Sequence, residues 1–181
     1  MAEYNAYHEA VAQTDPEEQI KLLDDFVSRY PASALLAFVY SQYAKAHSEL
    51  RNFPKVIENV DRLIAMGDKV PLIERYAAHY RWADAYNRMD ATDAVLASKA
   101  KDVALAGIKL LGILEKPLGM KDQDFAAEKK RGTIFFYTTA GIAALRAKDF
   151  PASFNCLKAI QSLEPYDPLP LIEPKPQAIP F

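Results

Sequence analysis

Apolar residues recur every three or four positions along most of the chain, the spacing that lays side chains on one face of an α-helix. Ile20, Leu23, Phe26, Val27 and Tyr30 form one such stripe, and Val56, Ile57, Val60, Leu63 and Ile64 a second. Leu96, Ala97, Ala100, Ala104, Ile108 and Leu111 form a third, and Phe154, Leu157, Ile160 and Leu163 a fourth. Between them lie partner segments of helical character over residues 34–50, 71–88 and 125–147, and a shorter one, 4–13, precedes the first stripe. Strand-like alternation nowhere lasts more than a few residues. The pattern predicts an all-α fold of eight helices in four antiparallel hairpins.

Helix punctuation repeats as well. Asp15-Pro16, Phe53-Pro54 and Ala91-Thr92 each precede or open an apolar stripe, at intervals of 38 residues (16 to 54, 54 to 92). Asp149-Phe150-Pro151 opens the last stripe after an excess of 21 residues, most of it assigned to a connection over 115–124 containing Pro117 and Gly119. Asn52 and Asp149 are good cap residues, and a proline in the first helical turn sacrifices no intrahelical hydrogen bond. A period of roughly 20–50 residues is the signature of stacked repeats. Residues 165–181 carry six of the twelve prolines, which predicts an extended tail after a helical domain of residues 1–164.

The stretch 134–165 resembles the tetratricopeptide repeat on Tyr137, Gly141, Ala144, Phe150, Ser153, Leu157, Ile160 and Pro165. A second unit, 37–68, is similar on Tyr40, Tyr43, Ala44, Phe53, Val56, Val60 and Leu63, departing from the family at Val56 and in having no closing proline. A third begins near Tyr76 with His79, Trp82, Ala83 and Tyr86. The run Phe26-Val27-Ser28-Arg29-Tyr30-Pro31-Ala32-Ser33 resembles repeat closings in bacterial envelope proteins, among them outer-membrane assembly lipoproteins and periplasmic cell-division coordinators. The resemblance implies a right-handed superhelical stack of hairpins, an α-solenoid, that binds other proteins. Small residues such as Gly141 and Ala44 would let helices approach closely, while Tyr40, Trp82 and Tyr137 fill the space beside them.

Composition narrows the function. The chain is 50% hydrophobic and 25% charged with a net charge of −2, which predicts a globular protein without the basic excess of a nucleic-acid binder. One cysteine, Cys156, excludes an internal disulfide or a cysteine-built metal cluster, and the six glycines form no phosphate-cradling loop. The longest mostly apolar run, 133–145, spans 13 residues against the roughly 20 a membrane span needs, so no direct membrane insertion is expected. No cationic stretch followed by an apolar core opens the chain, which reads as cytoplasmic as it stands. Removal of a leader upstream of Met1 would instead fit a periplasmic or envelope-associated protein.

No catalytic constellation emerges. His8, His47 and His79 fall in three different predicted helices with no zinc-type pairing, and His47 and His79 read as packing residues. Cys156 reads as a small buried hydrophobe. Glu17-Glu18 and Asp24-Asp25 read as solvated, since adjacent helical residues diverge by about 100°. The reading is therefore of a non-enzymatic protein with no cofactor and no metal.

Aromatic residues are the informative excess: ten Tyr, nine Phe and one Trp, many on the first helix of each predicted hairpin. Tyr40, Tyr43, Trp82, Tyr86 and Tyr137 are expected in the core. Phe38, Ser41 and Lys45 from one hairpin, Tyr80, Asp84 and Arg88 from the next, and Phe135, Thr138 and Ile142 from the last are expected to line one concave, partner-binding groove. Exposed aromatics in a groove are anchors for a protein or peptide partner. Thr138 and Ile142 stand where some family members carry a Lys/Asn clamp for a carboxylate, which argues against chaperone docking of that kind. The alternative is a small-molecule-binding or hydrolytic pocket beside the 115–124 connection, using Asp122, Asp124 and Glu128.

Overall fold

A computed structural model of the chain describes residues 1–163; the proline-rich tail and Pro165 of the repeat pattern lie outside the described residues. The described chain is helical throughout: α1 (Ala2–Ala12), α2 (Pro16–Arg29), α3 (Leu36–Glu49), α4 (Phe53–Ala65), α5 (Leu72–Asn87), α6 (Ala94–Ile113), α7 (Asp122–Arg146) and α8 (Phe150–Leu163), with one 3₁₀ turn at Gly67–Lys69. Each helix packs against the next, and contacts also join α3 to α5 and α5 to α7.

The helix starts follow capping chemistry. Asp15 accepts hydrogen bonds from the Glu17 and Glu18 amides at 2.9 and 3.4 Å, and Asn52 accepts one from Lys55 at 3.4 Å. Asp149 takes the Ala152 amide at 3.2 Å. The third opening falls later than the punctuation placed it. Asp93, not Ala91-Thr92, caps α6, because its carboxylate captures two orphan amides, Val95 at 2.7 Å and Leu96 at 2.8 Å. Cap-to-cap spacings are therefore 37 (15 to 52) and 41 (52 to 93) residues, so the period is approximate. The long connection ends at Lys121: the residues from Asp122 on already belong to the first turn of α7.

Two helix ends, 97 residues apart, close identically (51 and 148). Arg51 and Lys148 adopt φ values of 54° and 62°, the left-handed conformation usual for glycine at this place. The amide beyond each reaches back over the last turn, Asn52 to the His47 carbonyl and Asp149 to the Ala144 carbonyl, both at 2.8 Å. Phe-Pro then starts the next helix in both places.

The core falls into three connected groups. Ala10, Leu23, Phe26, Val39 and Tyr43 join α1, α2 and α3. Buried Gln19 belongs to that junction, its amide donating to the Ala10 carbonyl at 3.0 Å. Trp82 and Tyr86 centre the second group with Val56, Val60, Leu63 and small residues of α6. Trp82 donates to Asp61 at 2.9 Å, and Asp61 also pairs with Lys99 at 2.5 Å, so one carboxylate ties α4 to α5 and α6. Ala83, Ala104, Phe136, Ala140 and Cys156 make the third. Of the five aromatics expected inside, Tyr43, Trp82 and Tyr86 are buried, while Tyr40 and Tyr137 are partly buried at the margins.

Candidate functional site

Helices α5 and α7 face each other across a cleft of about 460 Å³, lined by Tyr76, Ala77, Tyr80, Arg81, Glu128, Arg131, Gly132 and Phe135. Tyr76 and Tyr80 stand four residues apart on α5, one above the other. Phe135 comes from α7 and stacks on Tyr80 with ring centroids 4.4 Å apart and planes 25° from parallel. Phe136 lies behind them, fully buried, edge-on to Tyr76 at 6.0 Å and to Tyr80 at 6.1 Å. The offset and edge-on arrangements are those favoured by aromatic quadrupoles. Tyr80 nevertheless leaves 41% of its surface exposed, so a half-buried stack of Tyr80 and Phe135 rests on the fully buried ring of Phe136 and keeps one ring facing solvent.

The absence of a side chain at Gly132 makes the floor possible. A Cβ there would lie 2.8 Å from a Leu111 methyl and 3.0 Å from the Tyr76 hydroxyl. Burial, with Tyr80 and Glu128 adding to it, pushes the Tyr76 phenol above its ordinary range and keeps it a hydrogen-bond donor. The rim is charged: Arg131 bonds Glu128, and Arg81 donates to the Ser41 hydroxyl at 2.8 Å.

A second cleft, about 170 Å³, lies between α3 and α5, with Lys45, Ser48, Glu49, Arg81 and Asp84 on its walls. Arg81 borders both clefts. A third of about 170 Å³ runs between α7 and α8 and is almost wholly apolar. A fourth, about 340 Å³, gathers polar groups of α2, α3 and α4 around Tyr43, His47 and Asp24. There Tyr43 donates to Asp24 at 2.5 Å, so Asp24, on a face expected to be only solvated, has a structural partner. His47 stacks parallel to Tyr43 at 6.3 Å, and burial holds its pKa below the ordinary histidine value, with nearby Lys55 acting in the same direction.

The nine residues expected in one groove are thus divided among several places. Tyr80 and Phe135 meet in the α5–α7 cleft, Lys45 and Asp84 face the α3–α5 cleft, and Thr138 and Ile142 line the α7–α8 cleft. Arg88 is exposed and pairs with Asp84 at 2.8 Å. Phe38 is exposed on α3 and lines neither of the first two clefts. Ser41 is buried instead of groove-facing: it lies beneath Arg81 and fixes that side chain by accepting its hydrogen bond. Sequence reasoning did not place Tyr76, Arg81 or Arg131 in the groove, although all three line the α5–α7 cleft. Tyr76 was within reach, since it shares the face of Tyr80 by its spacing of four.

The acidic group of the alternative reading is dispersed. Asp122 is held by Lys116, Glu128 by Arg131, and Asp122 and Asp124 line none of these four clefts. Among the described residues, no three His, Cys, Asp or Glu side chains are placed to hold a metal ion, and no helix is long and apolar enough to cross a membrane. Cys156 is buried, and that burial raises its thiol pKa, leaving a poor nucleophile. Searches against protein-family models, curated proteins and solved structures return no match to this chain.

Proposed function

We propose that the protein is a non-enzymatic interaction scaffold, a stack of helix hairpins of the tetratricopeptide kind, which binds a segment of a partner protein along α3, α5 and α7. The observation that carries this reading is the Tyr80–Phe135 stack: a large aromatic surface, anchored on buried Phe136, opens into the α5–α7 cleft under a charged rim. Such a pair offers contact area at little entropic cost, because its packing already restrains the rings. The repeated left-handed helix closures and the α3–α5–α7 contacts support the stacked-repeat reading. Arg81 and Arg131 would set orientation and encounter rate more than affinity.

The test is selection of binders from a displayed library of random 15-residue peptides on immobilised protein. Tyr80→Ala is expected to weaken the selected peptides at least tenfold while leaving the circular dichroism spectrum intact, as truncation of a well-packed aromatic anchor commonly does. Lys21→Ala, exposed on α2, should leave binding unchanged. Failure to enrich any peptide, or equal binding by both variants, overturns the proposal.

A further inference from the structure

We infer that the apolar cleft between α7 and α8 is the docking site of this chain's own residues 171–181. Ile142, Leu145, Leu157 and Ile160 line that cleft, and Phe150 and Phe154 share the face of Leu157 on α8 by their spacing. Phe150, Phe154 and Leu157 keep 62%, 65% and 60% of their surface exposed, in a stripe of i, i+4, i+7 spacing. A soluble fold rarely leaves a contiguous patch of this size uncovered without a use for it.

The packing order says what belongs there. Earlier in the chain, each pair of helices is covered by the first helix of the next: α3 packs on α2, α5 on α4 and α3, and α7 on α6 and α5. The α7–α8 pair has no following helix among the described residues. The connections that lead to the covering helices are short, with six, six and eight residues (30–35, 66–71, 114–121). A connection of the same length after Leu163 delivers Leu171, Ile172, Ile179 and Phe181 to the cleft.

Length and entropy agree. In a polyproline conformation a segment rises about 3.1 Å per residue, so eleven residues, the length of 171–181, would reach about 34 Å. The 14 residues of α8 span only about 21 Å. Prolines at 174, 176 and 180 restrict the free segment beforehand and lower the entropy lost on docking. Tethering by a short linker also raises the effective concentration of the segment to the millimolar range, above that of a second copy or a dilute partner. The segment thus takes the covering place of a further helix, shielding α8 while leaving the Tyr80–Phe135 cleft open, so the two proposals stand or fall separately.

Photo-crosslinking of the full chain tests it. With Phe154→p-benzoylphenylalanine and an equal mixture of isotopically light and heavy protein, irradiation is expected to link position 154 to residues 171–181 within one molecule, with yield independent of dilution. Leu171→Asp with Ile172→Asp should cut that yield several-fold, whereas Lys175→Ala should not. Crosslinks only between light and heavy chains would assign the cleft to a second copy and overturn the inference. So would the absence of any crosslink to residues 171–181.

Discussion

The ring of Phe136 occupies the space that a side chain at Gly107 would need: a Cβ there would lie 2.4 Å from its Cζ and 2.5 Å from Cε1. Phe136 has no freedom to yield, being fully buried among Tyr76, Tyr80 and Phe135. This contact sets the α6–α7 approach. Gly107→Ala gains helix propensity of up to about 1 kcal/mol, but overpacking costs about 1–3 kcal/mol and wins. Gly112→Ala, with nothing within 4 Å, should instead be neutral or stabilising. A lowered urea midpoint for Gly107→Ala and an unchanged or raised one for Gly112→Ala are expected.

Gly141 works the same way one interface further on, less tightly. Its missing Cβ would stand 3.3 Å from the Cβ of Cys156, so α8 sits against the bare backbone of α7. Gly141→Leu should lower stability by at least about 1–3 kcal/mol in chemical denaturation. A midpoint equal to that of the native protein would refute the close approach of the last two helices.

Arg51 and Lys148 hold left-handed backbone that a glycine adopts without strain. Arg51→Gly and Lys148→Gly are each expected to stabilise the protein by about 1 kcal/mol, read as a higher melting temperature. The gain is partly offset because glycine also loses more entropy on folding.

The Tyr43–Asp24 hydrogen bond predicts that Asp24 is not an inert surface residue. Burial first, and Asp24 second, drive the Tyr43 phenol far above its ordinary pKa, so it remains a donor across the accessible pH range. Asp24→Ala and Tyr43→Phe should each cost about 1 kcal/mol, and the double variant should cost less than their sum. Additive losses in the double-mutant cycle would show that the bond contributes nothing.

Both His47 and His79 have pKa values lowered chiefly by burial. A depressed histidine pKa means that the unfolded chain binds protons more readily, so acid favours unfolding. Stability from these groups is complete above the unfolded value of about 6.5 and is lost as pH falls through it toward the folded values. The urea midpoint should therefore drop between about pH 7.5 and 5.5. His47→Gln with His79→Gln should flatten that drop; an unaltered slope would assign it to other groups.

What the sequence determined is what helical geometry determines locally. The cap chemistry of Asp15, Asn52 and Asp149 placed three helix starts. Apolar spacing placed the eight helices of the described residues and the buried faces of α2, α4 and α6, though not that of α8, where Ser153 and Cys156 are buried and Phe154 and Leu157 are exposed. It also marked Tyr80 and Phe135 as aromatics beyond what one stripe could bury. What it left open was how neighbouring helices turn about their own axes, because contacts such as Tyr80–Phe135 or Gly107–Phe136 join residues far apart along the chain. That rotation buried Ser41 beneath Arg81, sent Ile142 to a different cleft from Phe135, and tied Asp24 to Tyr43. A side chain's period along its helix fixes the face it shares; only close packing against the next helix decides whether that face meets solvent, a cleft or another ring.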